Sequence, residues 1–326
     1  MFVGSRIGAG TLSAIFICLL LVTSPGAQAQ RTELHVFQSI TPTDKEFLTA
    51  DKSAKAVMIS GQLRIPRPGS DRFPTVVLLH GSGGMGNNVE NWSRELLKAD
   101  VASFAIDSFT GRALLVTNNN QDLLSRMTMV VDAYRALDLV SKHPRVDPQR
   151  IYLMGFSRGG GAAHWAALRR FQRMYGGAGE FAGFIGLYPT CNRVFQDGLD
   201  IVDKPVRIFH GLADDYVPPS RCRELVGRLR ERGKDATFTD YPDARHVYDD
   251  PGLSPVVNLP NPQTTRKCPL IEEALGGVLV NSETKQPFTY ASDPCVERGV
   301  TIGHHPDALA ETMKAVKELV TSPATK

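Results

Sequence analysis

The chain has 326 residues, 42% of them hydrophobic and 22% charged, with a formal net charge of +3. That balance is ordinary for a globular protein, and the length suits one large domain or two small ones. Lys and Arg are interspersed with Asp and Glu, so no basic block marks nucleic acid or a membrane surface as a partner.

The first thirty residues stand apart. Arg6 is followed by an apolar run from Ile7 to Val22, a Pro25-Gly26 break and Ala27-Gln28-Ala29. This is the layout of a secretory signal peptide with an A-x-A cleavage site. The run is also shorter than the roughly 20 apolar residues that a membrane-crossing helix needs. The expectation is cleavage after Ala29, a secreted or periplasmic protein, and one domain over 30–326. Cys18 is then filler in the apolar run, and the mature chain keeps Cys191, Cys222, Cys268 and Cys295. An even number of cysteines in an oxidising compartment points to two disulfides with three possible pairings. Without a C-x-x-C pair or clustered histidines, zinc is the weaker reading.

Residues 33–40 and 56–66 alternate apolar and polar side chains and predict antiparallel strands. After a turn at 66–74 the pattern changes. Short continuous apolar runs follow at 75–80, 101–107, 150–156, 181–189, 205–211 and 235–242. Amphipathic segments predicted as helices lie between or after them at 88–99, 121–143, 158–174, 219–233 and 305–320. Such alternation predicts an α/β fold with a mostly parallel sheet of about eight strands and helices on both faces. In these sheets the ligand site lies beyond the carboxyl ends of the strands. The stretch 251–304, rich in Pro, Asn and Thr and carrying Cys268 and Cys295, interrupts the pattern as a long irregular excursion. Loops of that length are usually functional or lids.

The stretch Gly155-Phe156-Ser157-Arg158-Gly159 joins an apolar run to a predicted helix, the context of a nucleophile elbow. A small-residue turn would satisfy the glycines alone, so the reading depends on a base and an acid arriving later in the chain. The order in this class is Ser, then Asp or Glu, then His. Asp214 and Asp215 follow the run at 205–211, and His246 follows the one at 235–242. Asp214 fits Gly-x-x-Asp-x-x-Val-Pro (211–218) and is the expected acid, with Asp215 solvated or capping the next helix. His35, His143, His164 and His210 precede the acid, while His304 and His305 abut the last helix as capping or surface groups. His246 is therefore the expected base. The tetrahedral intermediate of acyl transfer needs oxyanion donors. His80-Gly81-Ser82-Gly83-Gly84 offers the backbone N–H of Ser82, to act with that of Arg158. A phosphate cradle is the rival reading for these glycines, but neither the Lys-Ser/Thr ending of a P-loop nor a G-x-G-x-x-G spacing is present. In the 107–115 loop, Arg112 either binds a substrate carboxylate or is structural, and Phe109 either lines the pocket or packs beneath the loop. Tyr188 and the excursion are further candidates for shaping the pocket. Neighbouring strand ends favour the pairing 191–222, which leaves 268–295.

The motifs HGSGG, DSFTGR, GFSRGG, HGLADDYVPP and YPDARH, in this order, resemble the dienelactone hydrolase family of α/β-hydrolases. The resemblance covers about Phe73 to His246 and the last helix. It implies an eight-stranded sheet and hydrolysis of a small-molecule ester or lactone, with no metal and no organic cofactor. The namesake enzymes use a cysteine where this chain has Ser157, are cytoplasmic, and lack the cysteine-bearing excursion. These departures bear on the substrate more than on the hydrolytic chemistry. Serine peptidases of the prolyl oligopeptidase type share the fold and triad order, which leaves an amidase as an alternative. A non-catalytic binding protein on the same fold is the other.

Overall fold

The computed structural model describes residues 1–4, 31–51, 53–273 and 276–323. The expected signal peptide and its cleavage site therefore lie almost wholly outside the described residues. In chain order the elements are β1 (Arg31–Thr41), α1 (Asp44–Leu48), β2 (Lys55–Ile65), β3 (Phe73–Leu79), α2 (Asn87–Lys98), β4 (Ala102–Asp107), α3 (Thr128–Val140), β5 (Val146–Phe156), α4 (Arg158–Trp165), α5 (Arg169–Tyr175), β6 (Gly183–Leu187), β7 (Arg193–Val194), β8 (Val206–Gly211), α6 (Ser220–Glu231), β9 (Ala236–Tyr241), β10 (Val257–Thr264), β11 (Leu270–Glu272), β12 (Leu279–Asn281), β13 (Glu297–Ile302) and α7 (Pro306–Thr321).

The main sheet has eight strands in the order β1-β2-β4-β3-β5-β6-β8-β9. The alternating strands β1 and β2 pair antiparallel along their whole length, and β2 pairs antiparallel with β4. From β4 to β9 every pairing is parallel. All seven residues of β3 are buried, as a central parallel strand requires. Its side chains alternate between the two faces with the period of two. Val77 and Leu79 join the core on the α3–α4 side, and Val76 and Leu78 join the core on the α2–α7 side.

Three expectations need correction. The helix predicted over 158–174 breaks into α4 and α5. There Arg169 N donates to Asp200 O and Val202 N to Ala167 O, so the backbone is bonded to the neighbouring loop rather than along the helix. The helix predicted from 121 begins only at Thr128, because the backbone of Gln121 is held by tertiary partners: its N–H donates to Gln263 Oε1 and its carbonyl accepts from Arg158. The excursion is not irregular. It folds as β10 to β13, with β10 and β13 forming an antiparallel pair and β11 lying between β12 and β7. Proline inside β10 obscures the pattern, and proline is tolerated on a strand with an open edge. Two disulfides tie the excursion and its neighbours: Cys268–Cys295 within it and Cys191–Cys222 between the loop after β6 and α6. This is the pairing favoured from strand ends.

Candidate active site

The loops at the carboxyl ends of β3, β5, β6, β8 and β9 converge on Ser157. The serine sits between β5 and α4 with φ +51° and ψ −111°, a backbone state that non-glycine residues adopt only when the surroundings impose it. Its N–H donates to Leu187 O at 3.0 Å on the adjacent β6. The flanking glycines make the turn possible. A Cβ on Gly155 would lie 2.1 Å from Gly159 O, and one on Gly159 would lie 2.3 Å from Leu79 O. Strand, helix and the end of β3 thus pass closer than any side chain allows.

Ser157 Oγ lies 2.9 Å from His246 Nε2, and His246 Nδ1 lies 2.7 Å from Asp214 Oδ2. The histidine is 1% exposed and Asp214 5%. Ser157 is only partly buried, so the hydroxyl is the member of the chain open to a reactant. Asp214 Oδ1 accepts from the N–H groups of Tyr216 and Val217 at 2.9 and 2.8 Å. Its Oδ2 is also 3.1 Å from His210 Nε2. Burial pushes the Asp214 carboxyl up, but His246 and His210, by charge and hydrogen bonding, outweigh it and hold the group well below the usual carboxylate range. A carboxylate so held keeps a proton on His246 Nδ1 and leaves Nε2 to face the serine as a base.

The two aspartates of the acid loop divide their work. Asp215 turns away from the histidine, and its Oδ1 accepts from Thr301 N of β13 at 2.8 Å. It neither caps the next helix nor stands free in solvent, as the sequence had implied. It anchors the excursion, which in turn holds the base, since Gly303 N donates to His246 O at 3.0 Å.

Sequence reasoning missed a clamp around His246. The ring of Tyr188 lies 4.6 Å from the imidazole and that of Tyr216 lies 4.7 Å away. Tyr188 was a candidate only for pocket shape, and Tyr216 follows the acid by two residues with nothing local to mark it. The Tyr188 hydroxyl donates to Asp249 Oδ1 at 2.6 Å, and Trp92 Nε1 donates to Oδ2 at 2.8 Å. Burial raises the Asp249 carboxyl to about 6, despite these two donors.

The loop expected to bind an oxyanion lies against the elbow, where a Cβ on Gly81 would be 3.5 Å from Ser157 Cβ. His80 braces this loop: its Nδ1 is 2.7 Å from Gly81 O, and its Nε2 accepts from Ser108 N at 3.2 Å. Burial lowers the His80 pKa, in keeping with this neutral, Nδ1-protonated role. Arg158 N–H opens α4, in the turn where backbone donors lack intrahelical acceptors. The fully buried Arg158 side chain adds a link that its position in the motif does not reveal. Its Nε donates to Ser82 Oγ at 3.2 Å, and its other nitrogens reach Leu124 O, Gln121 O and Gln121 Oε1. No carboxylate is among these partners, and burial lowers the guanidinium pKa to about 9. One side chain therefore ties the turn at Ser157 to the Ser82 loop.

For Arg112 and Phe109, each left with two readings, the contacts fit the structural one. Arg112 does not reach the serine. Its guanidinium is 4% exposed and forms a two-pronged pair with Asp132 at 2.8 and 2.9 Å. It also donates to Thr41 Oγ1, Ser108 O and Ile40 O, so it fastens the 107–115 loop to β1 and α3. Phe109 is 1% exposed and packs its ring on His80 at 4.3 Å, beneath the loop rather than in a pocket. His304 contacts Tyr248 O through Nδ1, and His305 caps α7 by accepting from Ala308 N.

A family model for dienelactone hydrolases matches residues 60–256, more than half of the chain. The chain belongs to the dienelactone hydrolase family. Within the curated proteins it is 30% identical over 135 residues to NocK, a candidate esterase of Nocardia uniformis subsp. tsuyamanensis; the match spans 38% of this chain and 39% of NocK. The chain thus spans about two-fifths of the length of that relative. Among solved structures it resembles the dienelactone hydrolase-like promiscuous phosphotriesterase P91 from metagenomic libraries, with a TM-score of 0.56 and 16% identity over 88% of this chain and 98% of the other. It also resembles m3DLH, with a TM-score of 0.55 and 19% identity over 89% and 97%. At these identities the likeness is one of fold. β10 to β13 lie beyond the dienelactone hydrolase match.

Proposed function

We propose that the protein is a serine hydrolase of carboxylic esters or lactones that works through an acyl-enzyme. The observation that carries this reading is the unbroken chain Asp214–His246–Ser157, with contacts of 2.7 and 2.9 Å, at the tip of a strained elbow. Ser157 Oγ attacks the acyl carbon as its proton passes to His246 Nε2. Asp214 fixes the imidazole tautomer and stabilises the imidazolium, and the rings of Tyr188 and Tyr216 hold it in place. The N–H groups of Ser82 and Arg158 receive the developing oxyanion. The imidazolium then protonates the departing alkoxide. Water, deprotonated by His246, releases the acid and restores the serine. Membership in the dienelactone hydrolase family supports an ester or lactone as substrate.

Export belongs to the same proposal. The signal-like first thirty residues and the two disulfides fit an oxidising compartment, with 30–326 as the mature single domain. Among the described residues no helix is long and apolar enough to cross a membrane.

The test is Ser157→Ala. Turnover of p-nitrophenyl acetate should fall by roughly 10⁴-fold or more, and a fluorophosphonate should label the wild-type serine but not the variant. Full activity in the variant would end the proposal.

A further inference from the structure

A cavity of about 460 Å³ lies beneath α6, and none of Ser157, Asp214 and His246 lines it. Its volume is within the range of small-molecule sites. Its lining mixes polar side chains with apolar ones, among them Phe195 from the loop after β7, Leu199, Leu225 from α6 and Ile271 from β11, the last three partly exposed. The rim is basic. Arg221, Leu225, Arg228 and Arg232 follow one another at spacings of four, three and four along α6 and its cap, which places them on one helix face. All three arginines are exposed. Arg221 pairs loosely with Glu224 at 3.6 Å, while among the described residues Arg228 and Arg232 have no ion-pair partner. With the rim carboxylates Asp197 and Glu224 counted, and Arg193 engaged by Asp44, positive charge remains in excess.

The roof is pinned. Cys222, in the first turn of α6, is bonded to Cys191 on the cavity wall, while Val226 and Leu229 seat the helix in the core. The disulfide and these core contacts fix α6 over the pocket.

We propose that this cavity is a second site, separate from the triad, that binds a medium-chain carboxylate, with its hydrocarbon chain against Leu199, Leu225 and Ile271 and its anionic head at Arg228 and Arg232. Apolar burial supplies affinity and the unpaired guanidinium groups supply preference for the acid.

Isothermal titration with sodium octanoate tests it. Wild-type protein should give saturable one-site binding, and Ser157→Ala should bind equally, because the site owes nothing to the nucleophile. Neutral octanamide should bind at least tenfold more weakly. The surface variant Arg228→Glu/Arg232→Glu should weaken octanoate binding at least tenfold, and Leu225→Trp should abolish it by filling the chamber. Both variants should turn over p-nitrophenyl acetate at the wild-type rate, which also reports that they are folded. No saturable binding to the wild type, octanoate binding that survives both variants, or binding lost in Ser157→Ala would overturn the proposal. The last outcome would move the ligand to the triad and leave the hydrolase reading untouched.

Discussion

Replacing Asp214 by asparagine isolates the tautomer argument. The amide keeps the size of the carboxylate but has one acceptor oxygen instead of two. That oxygen must choose between two sides: the N–H groups of Tyr216 and Val217 at 2.9 and 2.8 Å, and His246 with His210 at 2.7 and 3.1 Å. The backbone donors cannot turn away, whereas His210 can fall back on Val217 O at 2.8 Å. The amide oxygen therefore stays with the backbone, and its NH₂ faces His246 Nδ1. That nitrogen must then accept, so the ring proton moves to Nε2 and points at Ser157, where no base remains. The expected loss in kcat is about 10⁴-fold, or roughly 5 kcal/mol in the barrier, with KM little changed. Losing the two charge-assisted histidine contacts should also cost on the order of 2–4 kcal/mol of stability at neutral pH. The native Asp214 pKa is depressed, so its contribution is present above the unfolded value of 3.8 and is lost as pH falls through the folded one. The stability gap between wild type and variant should accordingly begin to narrow below about pH 3.8 and be smaller, though not closed, at pH 3. Steady-state hydrolysis of p-nitrophenyl butyrate, with urea unfolding at pH 7 and pH 3, measures both effects. A folded Asp214→Asn protein within tenfold of wild-type kcat would refute the reasoning.

Other substitutions probe the remaining assignments. Arg112→Ala leaves Asp132 buried and unpaired, so it should destabilise the protein by about 3–5 kcal/mol in denaturant titration; a folded variant with KM for a carboxylate-bearing ester raised tenfold and stability unchanged would restore the substrate role. Gly155→Ala forces a Cβ to 2.1 Å from Gly159 O, and both sides are backbone, so thermal or chemical unfolding should register a loss of about 3 kcal/mol or more. Asp249, raised to about 6 from 3.8, contributes stability that is full below 3.8 and lost as pH rises through about 6. Asp249→Asn should lack this dependence, so urea unfolding at pH 4 and pH 8 should show the variant gaining on wild type by up to about 3 kcal/mol; a constant difference would count against a buried, titrating carboxyl.

The sequence by itself determined the alternation of buried strands and amphipathic helices, because hydrophobic periodicity is a local property that each strand and helix carries on its own. It also placed Ser157, Asp214 and His246 just after strands, because in a parallel sheet those ends share one edge. The tertiary structure decided what depends on distant partners. Arg112 could have faced substrate or core, and it turned inward because Asp132 and three acceptors lay there. Tyr188 and Tyr216 came to flank the His246 ring only when the loops after β6 and β8 met around it. The excursion became ordered strands because pairing partners, a disulfide and the carboxylate of Asp215 awaited it. Contacts of this kind have no periodicity and no fixed spacing along the chain. They exist only once folding has paid the entropy of bringing remote segments together.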